Sequence, residues 1–148
     1  MEYSDILREL APCGLNCRKC MAYEEGDIKK TSEQLQKLLG SFDRYAERFA
    51  GFLPVFQSYP AFKELLAHFT EADCEGCRSG QCKYPNCGVM TCHTDKGVDF
   101  CFQCDEFPCG KTNFDPDLKR RWIQMSNRMK EVGVEAYYEE TKNTPRYT

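Results

Sequence analysis

Cysteine is the residue of this chain that carries chemistry: there are eleven in 148 residues, and they are grouped. Three C-x2-C pairs occur, Cys17/Cys20, Cys74/Cys77 and Cys101/Cys104, with Cys13, Cys82, Cys87, Cys92 and Cys109 beside them. A C-x2-C turn suits a metal knuckle, because it brings two sulfurs to about 2.3 Å from one ion while backbone N–H groups bond the thiolates. The odd count argues against a closed disulfide framework. The opening "MEYSDILREL" carries acids and no apolar h-region, so no export signal is expected and the chain is assigned to the cytoplasm. Thiols there stay reduced, and dense paired cysteines then read as metal ligands.

The spacing C-x2-C-x4-C occurs twice, in Cys74/Cys77/Cys82 and again in Cys101/Cys104/Cys109. Tetrahedral zinc needs four donors, so two ions use eight of the eleven cysteines and a third would have to recruit a histidine. His93, directly after Cys92, is the better recruit; His68 belongs to a helix edge. Spacing does not say which thiols share an ion. The expectation is that Cys74/Cys77 joins Cys87/Cys92, while Cys101/Cys104/Cys109 joins Cys13, Cys17 and Cys20. An iron–sulfur cluster is the alternative, although the ferredoxin run C-x2-C-x2-C-x3-C-P is absent and Pro108 precedes Cys109 instead of following it. The C-x3-C-x2-C of Cys13, Cys17 and Cys20 matches the spacing of radical S-adenosylmethionine enzymes. Those need a large α/β barrel, which 148 residues without a serial βα pattern cannot build.

Other chemistries are not marked. No Ser-His-Asp set, phosphate loop or pair of separated carboxylates stands out, and two histidines leave few acid–base candidates. Nor is there the βαβ setting of a thiol-redox C-x2-C. Asp73, Asp105 and Glu106 read as solvated loop acids, and Tyr84, Phe100, Phe102 and Phe107 as packing over the metal shells. The formal charge of −3 excludes a global basic field for nucleic acid, and Lys119, Arg120 and Arg121 read as a wet helix face. A zinc held by four thiolates is −2, so two of them would move the balance to about −7. Arg18, Lys19, Arg78, Lys83 and Lys96 lie near cysteines and are the expected offset. No apolar run reaches the roughly 18 residues of a membrane span.

The elements that must position these thiols read as mainly α, in a single domain with a cysteine-rich irregular insert stapled by metal. Residues 1–30 hold the first cluster. Residues 31–70 are cysteine-free and helical: Thr31 and Gln34 suggest a capping box, with Leu35, Leu38, Leu39, Phe42, Ala46 and Phe49 on one face. Gly40 weakens this helix, and Gly51 and Pro54 end it. A second helix begins near Pro60 and buries Phe62, Leu65, Leu66 and Phe69. Residues 71–112 carry eight cysteines and many turn residues, with too little apolar content to order themselves. Within them "GVDFCF" is the candidate for a small β-hairpin. Residues 113–148 open with Asp115 as N-cap and Pro116 at the first helical position. Leu118, Trp122, Met125, Met129 and Val132 form the apolar face, Gly133 breaks it, and "VEAYYEETKN" adds a short helix before a frayed "TPRYT".

The ordered series "CGLNCRKC", "CEGCR", "CGVMTC", "KGVDFCFQCDEFPC" and a closing "PRY" resembles the domain of unknown function 3795 family, over about residues 12–147. These are small bacterial and archaeal proteins described as zinc-binding. The resemblance carries over Cys13, Cys17, Cys20, Cys74, Cys77, Cys87, Cys92, Cys101, Cys104 and Cys109, with Cys82 in a variable stretch, and implies no reaction. The expected function is therefore a zinc-binding interaction or regulatory module with a protein partner and structural metal sites, with no sign of an enzyme. An iron–sulfur or thiol-redox protein is the alternative.

Overall fold

Helices account for most of the ordered backbone, as the apolar spacing requires; the computed structural model describes residues 2–148. The strongest sequence signal is realised closely. Helix α6 (Pro116–Val132) starts where Asp115 accepts the N–H groups of Asp117 and Leu118, both at 3.0 Å, and stops at Gly133. Gly133 has φ 88°, a conformation open to glycine at little cost, and it turns the chain directly into α7 (Val134–Thr141). The inner face of α6 buries Trp122, Met125 and Met129.

Helix α1 (Tyr3–Glu9), not foreseen, packs on α7 and contributes Ile6 to the same core. That core also holds Leu10, Val134, Tyr137, Tyr138 and Phe100, the last 0% exposed. A second cluster, of Ala11, Cys13, Cys17, Val89 and Trp122, adjoins the cysteines. Phe100 and Val89 both come from the irregular 71–112 segment, so that segment does supply apolar anchors. Val89 opens a further unforeseen helix, α5 (Val89–Asp95).

The hairpin expected at "GVDFCF" is not formed. Residues Cys101–Gln103 make a 3-10 turn, and Gln103 Oε1 accepts the N–H groups of Asp99 (3.0 Å) and Phe100 (2.9 Å). A side chain thus satisfies the backbone that a partner strand would have served. Among the described residues, β-pairing outside named strands consists of the isolated bridges Leu10–Asn16 and Tyr23–Cys74.

Residues 27–70 form a separate layer. Helix α2 (Asp27–Leu39) begins four residues before the expected Thr31 cap, because Gly26 is the residue that turns. A Cβ there would stand 2.9 Å from the Tyr23 carbonyl and 3.0 Å from that of Arg18. Gly40, at φ 53°, ends α2 outright, so the expected long helix is two, the second being α3 (Asp43–Ala50). A 3-10 turn at Pro54–Ser58 leads into α4 (Tyr59–Thr70), whose second residue is Pro60. Helix α2 packs on α4, and Phe42 contacts Phe49, Phe56 and Tyr59 at centroid distances of 5.2–5.8 Å. The apolar faces expected to be buried are only partly so: Leu66 is covered, while Leu38 is 79% and Leu65 59% exposed. Phe62 and Leu35 are also exposed. No helix among the described residues is long and apolar enough to cross a membrane.

Candidate metal centre

All eleven cysteines are free thiols, and the fold sorts them into two groups. Cys92, Cys101, Cys104 and Cys109 line one cavity, together with His93, Phe107 and Trp122. Three local structures deliver them. Cys92 lies on α5, Cys101 and Cys104 bracket the 3-10 turn, and Cys109 follows the next turn. The Cys101 N–H donates to the Pro12 carbonyl at 2.9 Å, which ties this turn to the N-terminal segment. The Cys104 N–H donates to the Cys101 carbonyl at 3.1 Å, closing the knuckle.

Helix α5 can approach this turn because residue 88 has no side chain. A Cβ on Gly88 would sit 1.9 Å from the Lys111 carbonyl oxygen, and the Gly88 N–H donates to Thr112 O at 3.2 Å. The indole of Trp122 forms the cavity floor, with its ring edge-on to Phe107 at 5.0 Å. Trp122 Nε1 and His93 Nδ1 are buried without hydrogen-bond partners. Burial pushes the Cys101 thiol up to about 12.

The second group is built on the first cysteine segment and the 74–87 segment. The Cys20 N–H donates to Cys17 O (2.8 Å), forming one knuckle. The Gly76 N–H donates to Cys74 Sγ at 3.4 Å, as in a metal knuckle. Backbone bonds join the two, Cys74 N–H to Ala22 O (2.8 Å) and Glu24 N–H to Cys74 O (3.0 Å). Cys17, Cys20, Cys74, Cys77 and Cys82 then line one cleft. Cys77, Cys82, Cys87 and the buried Cys13 line the cavity next to it.

The thiols of this group polarise one another. The neighbouring Cys77 lowers the Cys17 thiol to about 7, and Cys77 and Cys87 together lower Cys82. Cys77, set against Cys17 and Cys82, is raised, and so is Cys87 beside Cys82. Cys13 is pushed up to about 11 by burial.

The grouping departs from the expected pairing in part, since Cys87 stays beside Cys77 as expected while Cys92 and the N-terminal cysteines change sides. Cys92 stands with Cys101, Cys104 and Cys109, and Cys74/Cys77 stands with the N-terminal knuckle. Periodic spacing carries no information on this point, because the partners are chosen by how α5 and the N-terminal loop dock. Among the described residues, no three His, Cys, Asp or Glu donors converge closely enough to form a single-ion shell. His68 is exposed on α4, whereas His93 does face the first cavity.

The basic residues near the cysteines mostly serve other partners. Arg18 pairs with Glu9 and Asp27, Lys83 with Asp73, and Lys96 with Glu106. Lys19 donates to the carbonyls of Thr141 (3.2 Å) and Thr144 (2.5 Å). Arg78 is a clamp: Nε donates to Leu7 O (2.8 Å) and Nη2 to Asp99 O (2.8 Å), and the guanidinium lies 5.1 Å over the Phe100 ring. The residues that do face the thiols lie in the tail expected to fray. Arg146 Nη1 donates to Asn16 O (2.7 Å), and its guanidinium, although desolvated, is raised by Cys20, Cys17 and Cys13. The Tyr147 hydroxyl accepts the Met21 N–H (3.0 Å) and reaches Cys20 Sγ at 3.7 Å. Arg121, expected on a wet face, turns inward to donate to the Arg146 carbonyl. The closing "PRY", which carries the family resemblance, was the one available signal for this strap, and the reading of a frayed tail passed over it.

A family model described as "Protein of unknown function (DUF3795)" matches residues 9–114. The chain belongs to that family. The DUF3795 match spans all eleven cysteines and stops short of α6, α7 and the Arg146–Tyr147 strap that cover them. No curated protein and no solved structure matches the chain.

Proposed function

We propose that this DUF3795 protein is a metal-binding module in which two thiolate-held centres order residues 71–112. The observation that supports it is the sorting of free cysteines, distant in sequence, into one four-thiol cavity and one seven-thiol group, both against the α6 face. At the second group the two knuckles, Cys17/Cys20 and Cys74/Cys77, have the donor chemistry of a structural zinc, four thiolates with a backbone N–H already on one sulfur. Such an ion supplies folding free energy and no reaction. Cys92, Cys101, Cys104 and Cys109 hold the other centre.

The role that fits this build is an interaction or regulatory module: the exposed apolar side chains of α2 and α4, Leu35, Leu38, Phe62 and Leu65, lie away from the thiols. The test is metal removal. Chelation is expected to abolish amide-exchange protection in 71–112 while α2 and α4 keep most of their helical signal. Unchanged protection in 71–112 after complete metal removal would remove the basis of this reading.

A further inference from the structure

We propose that the groove between α6, the loop at residues 14–19 and the closing strap docks an acidic peptide segment of a partner protein. This rests on the interaction-module reading above and names its surface and the partner's chemistry. The groove has a volume of about 1000 Å³. Its walls carry Lys19, Arg120, Arg121, Arg128 and Arg146, against the carboxylates of Asp115 and Asp117. The whole chain is acidic, with a formal charge of −3, so this excess of cations is a local feature of one face.

The inner cations are matched in hydrogen bonds but not in charge. Lys19, Arg121 and Arg146 are half-buried, and each donates to main-chain carbonyls: Lys19 to Thr141 and Thr144, Arg121 to Arg146, and Arg146 to Asn16. Among the described residues none of the three forms an ion pair with a carboxylate. A carbonyl satisfies an N–H and leaves the positive charge in place. Arg146 also faces Cys20, Cys17 and Cys13, so Lys19 and Arg121 are the cations whose field is directed to nothing else. Arg120 and Arg128 are exposed and pair with Asp117 and with Glu131 and Glu140. Exposed pairs of that kind contribute little and can exchange one carboxylate for another.

The placement of the charges selects the class of ligand. Arg120 and Arg128 lie eight residues apart on α6, about 12 Å along its axis. Lys19 and Arg146 come from two further segments. A single phosphate or carboxylate cannot meet cations so spread, whereas an extended chain spans that distance in about four residues and presents several acids. Leu15, Leu118 and Met125 add apolar surface for the side chains between the acids. A single-stranded nucleic acid needs exposed aromatic faces on which to stack its bases. The aromatic residue on this wall, Tyr137, is 5% exposed and its hydroxyl is committed to the Gly14 carbonyl.

The experiment is a fluorescence-anisotropy titration of the full chain, thiols reduced, with fluorescein-labelled hexaglutamate. Saturable binding of one peptide per chain is expected, weakening as salt is raised. Lys19→Gln and Arg121→Gln are each expected to weaken it about five- to tenfold. Lys119→Gln removes the same charge one residue outside the groove and is expected to leave it unchanged. Arg120→Gln, at an exposed side chain, is expected to weaken binding in the same direction and keeps the test open where Arg121→Gln fails to fold. Equal weakening by Lys119→Gln means a diffuse field and overturns the groove. Tighter binding of tripolyphosphate or of an oligothymidylate than of hexaglutamate assigns the face to a small anion or a nucleic acid and overturns the peptide. Self-association of the chain that is lost in Arg121→Gln and blocks hexaglutamate gives the groove to a second copy and also overturns it. No binding, by a chain whose residues 71–112 still need metal for their exchange protection, overturns the docking groove and leaves the metal-binding reading standing.

Discussion

Residues 27–70 and the cysteine-bearing remainder of the chain solve the same problem by different means. The first is a layer of helices whose aromatic side chains pack on one another, with Phe42 central, and whose outer faces stay in water. The second wraps irregular backbone around α6, with Trp122 and Phe100 nearly sealed from solvent. The layer therefore depends on helix propensity and one modest apolar seam. The remainder depends on a buried core and on groups that cross-link turns. The two meet through few contacts, among them the Tyr23–Cys74 bridge and the Lys29 ammonium on the Ala72 carbonyl at 2.9 Å. Local openings of one are then expected to leave the other folded.

The largest test of that contrast is Trp122→Ala. The indole packs on Phe107 and Phe114 and floors the four-thiol cavity, so its removal is expected to cost about 3–5 kcal/mol. Denaturant unfolding should show the loss, and the cysteines of both groups should become reactive to a thiol reagent while α2 and α4 keep their exchange protection. Equal loss of protection in both regions would mean that they fold as one unit.

Leu66→Ala is the reciprocal change. Leu66 is the buried leucine of α4, and its truncation is expected to cost about 2–3 kcal/mol, toward the low end of such changes because the surrounding layer is open. Exchange should accelerate in α2, α3 and α4 with thiol reactivity unchanged. Any rise in thiol reactivity would break the separation.

The smallest effect is at Asp115. The Leu118 N–H holds its carboxyl below the ordinary carboxylate range, aided by the Tyr84 hydroxyl. A depressed folded pKa contributes stability that is present above the unfolded value near 4 and is lost as pH falls through the folded one. Asp115→Ala is expected to lower the melting temperature by about 2–4 °C at neutral pH and to remove this acid-side dependence. An equal loss at pH 7 and at pH 2 would exclude the carboxylate as its source.

The sequence was most readable where chemistry is local. Asp115, Pro116 and Gly133 bound α6 as their backbone preferences require, and Pro60 lies in the first turn of α4. It was least readable where a residue's role depends on distant neighbours. Thr31 resembles an N-cap, yet Gly26 turns the chain earlier because only a glycine can come that close to the Tyr23 and Arg18 carbonyls. Leu38 and Leu65 have helical periodicity, but periodicity names a face without saying that anything covers it. Arg146 and Tyr147 look like a loose end, and become a strap only because Asn16 and Met21 offer a carbonyl and an N–H within reach.

From the sequence by itself follow a mainly helical chain, the absence of a barrel, and thiols dense enough to call for metal, because turn preferences, apolar periods and C-x2-C knuckles are properties of neighbouring residues. Tertiary structure alone decided that Cys92 joins Cys101, Cys104 and Cys109, and that Cys74/Cys77 joins Cys17/Cys20. Those outcomes depend on how α5 docks against the 111–112 backbone and how α6 seats Trp122, and no local spacing encodes them.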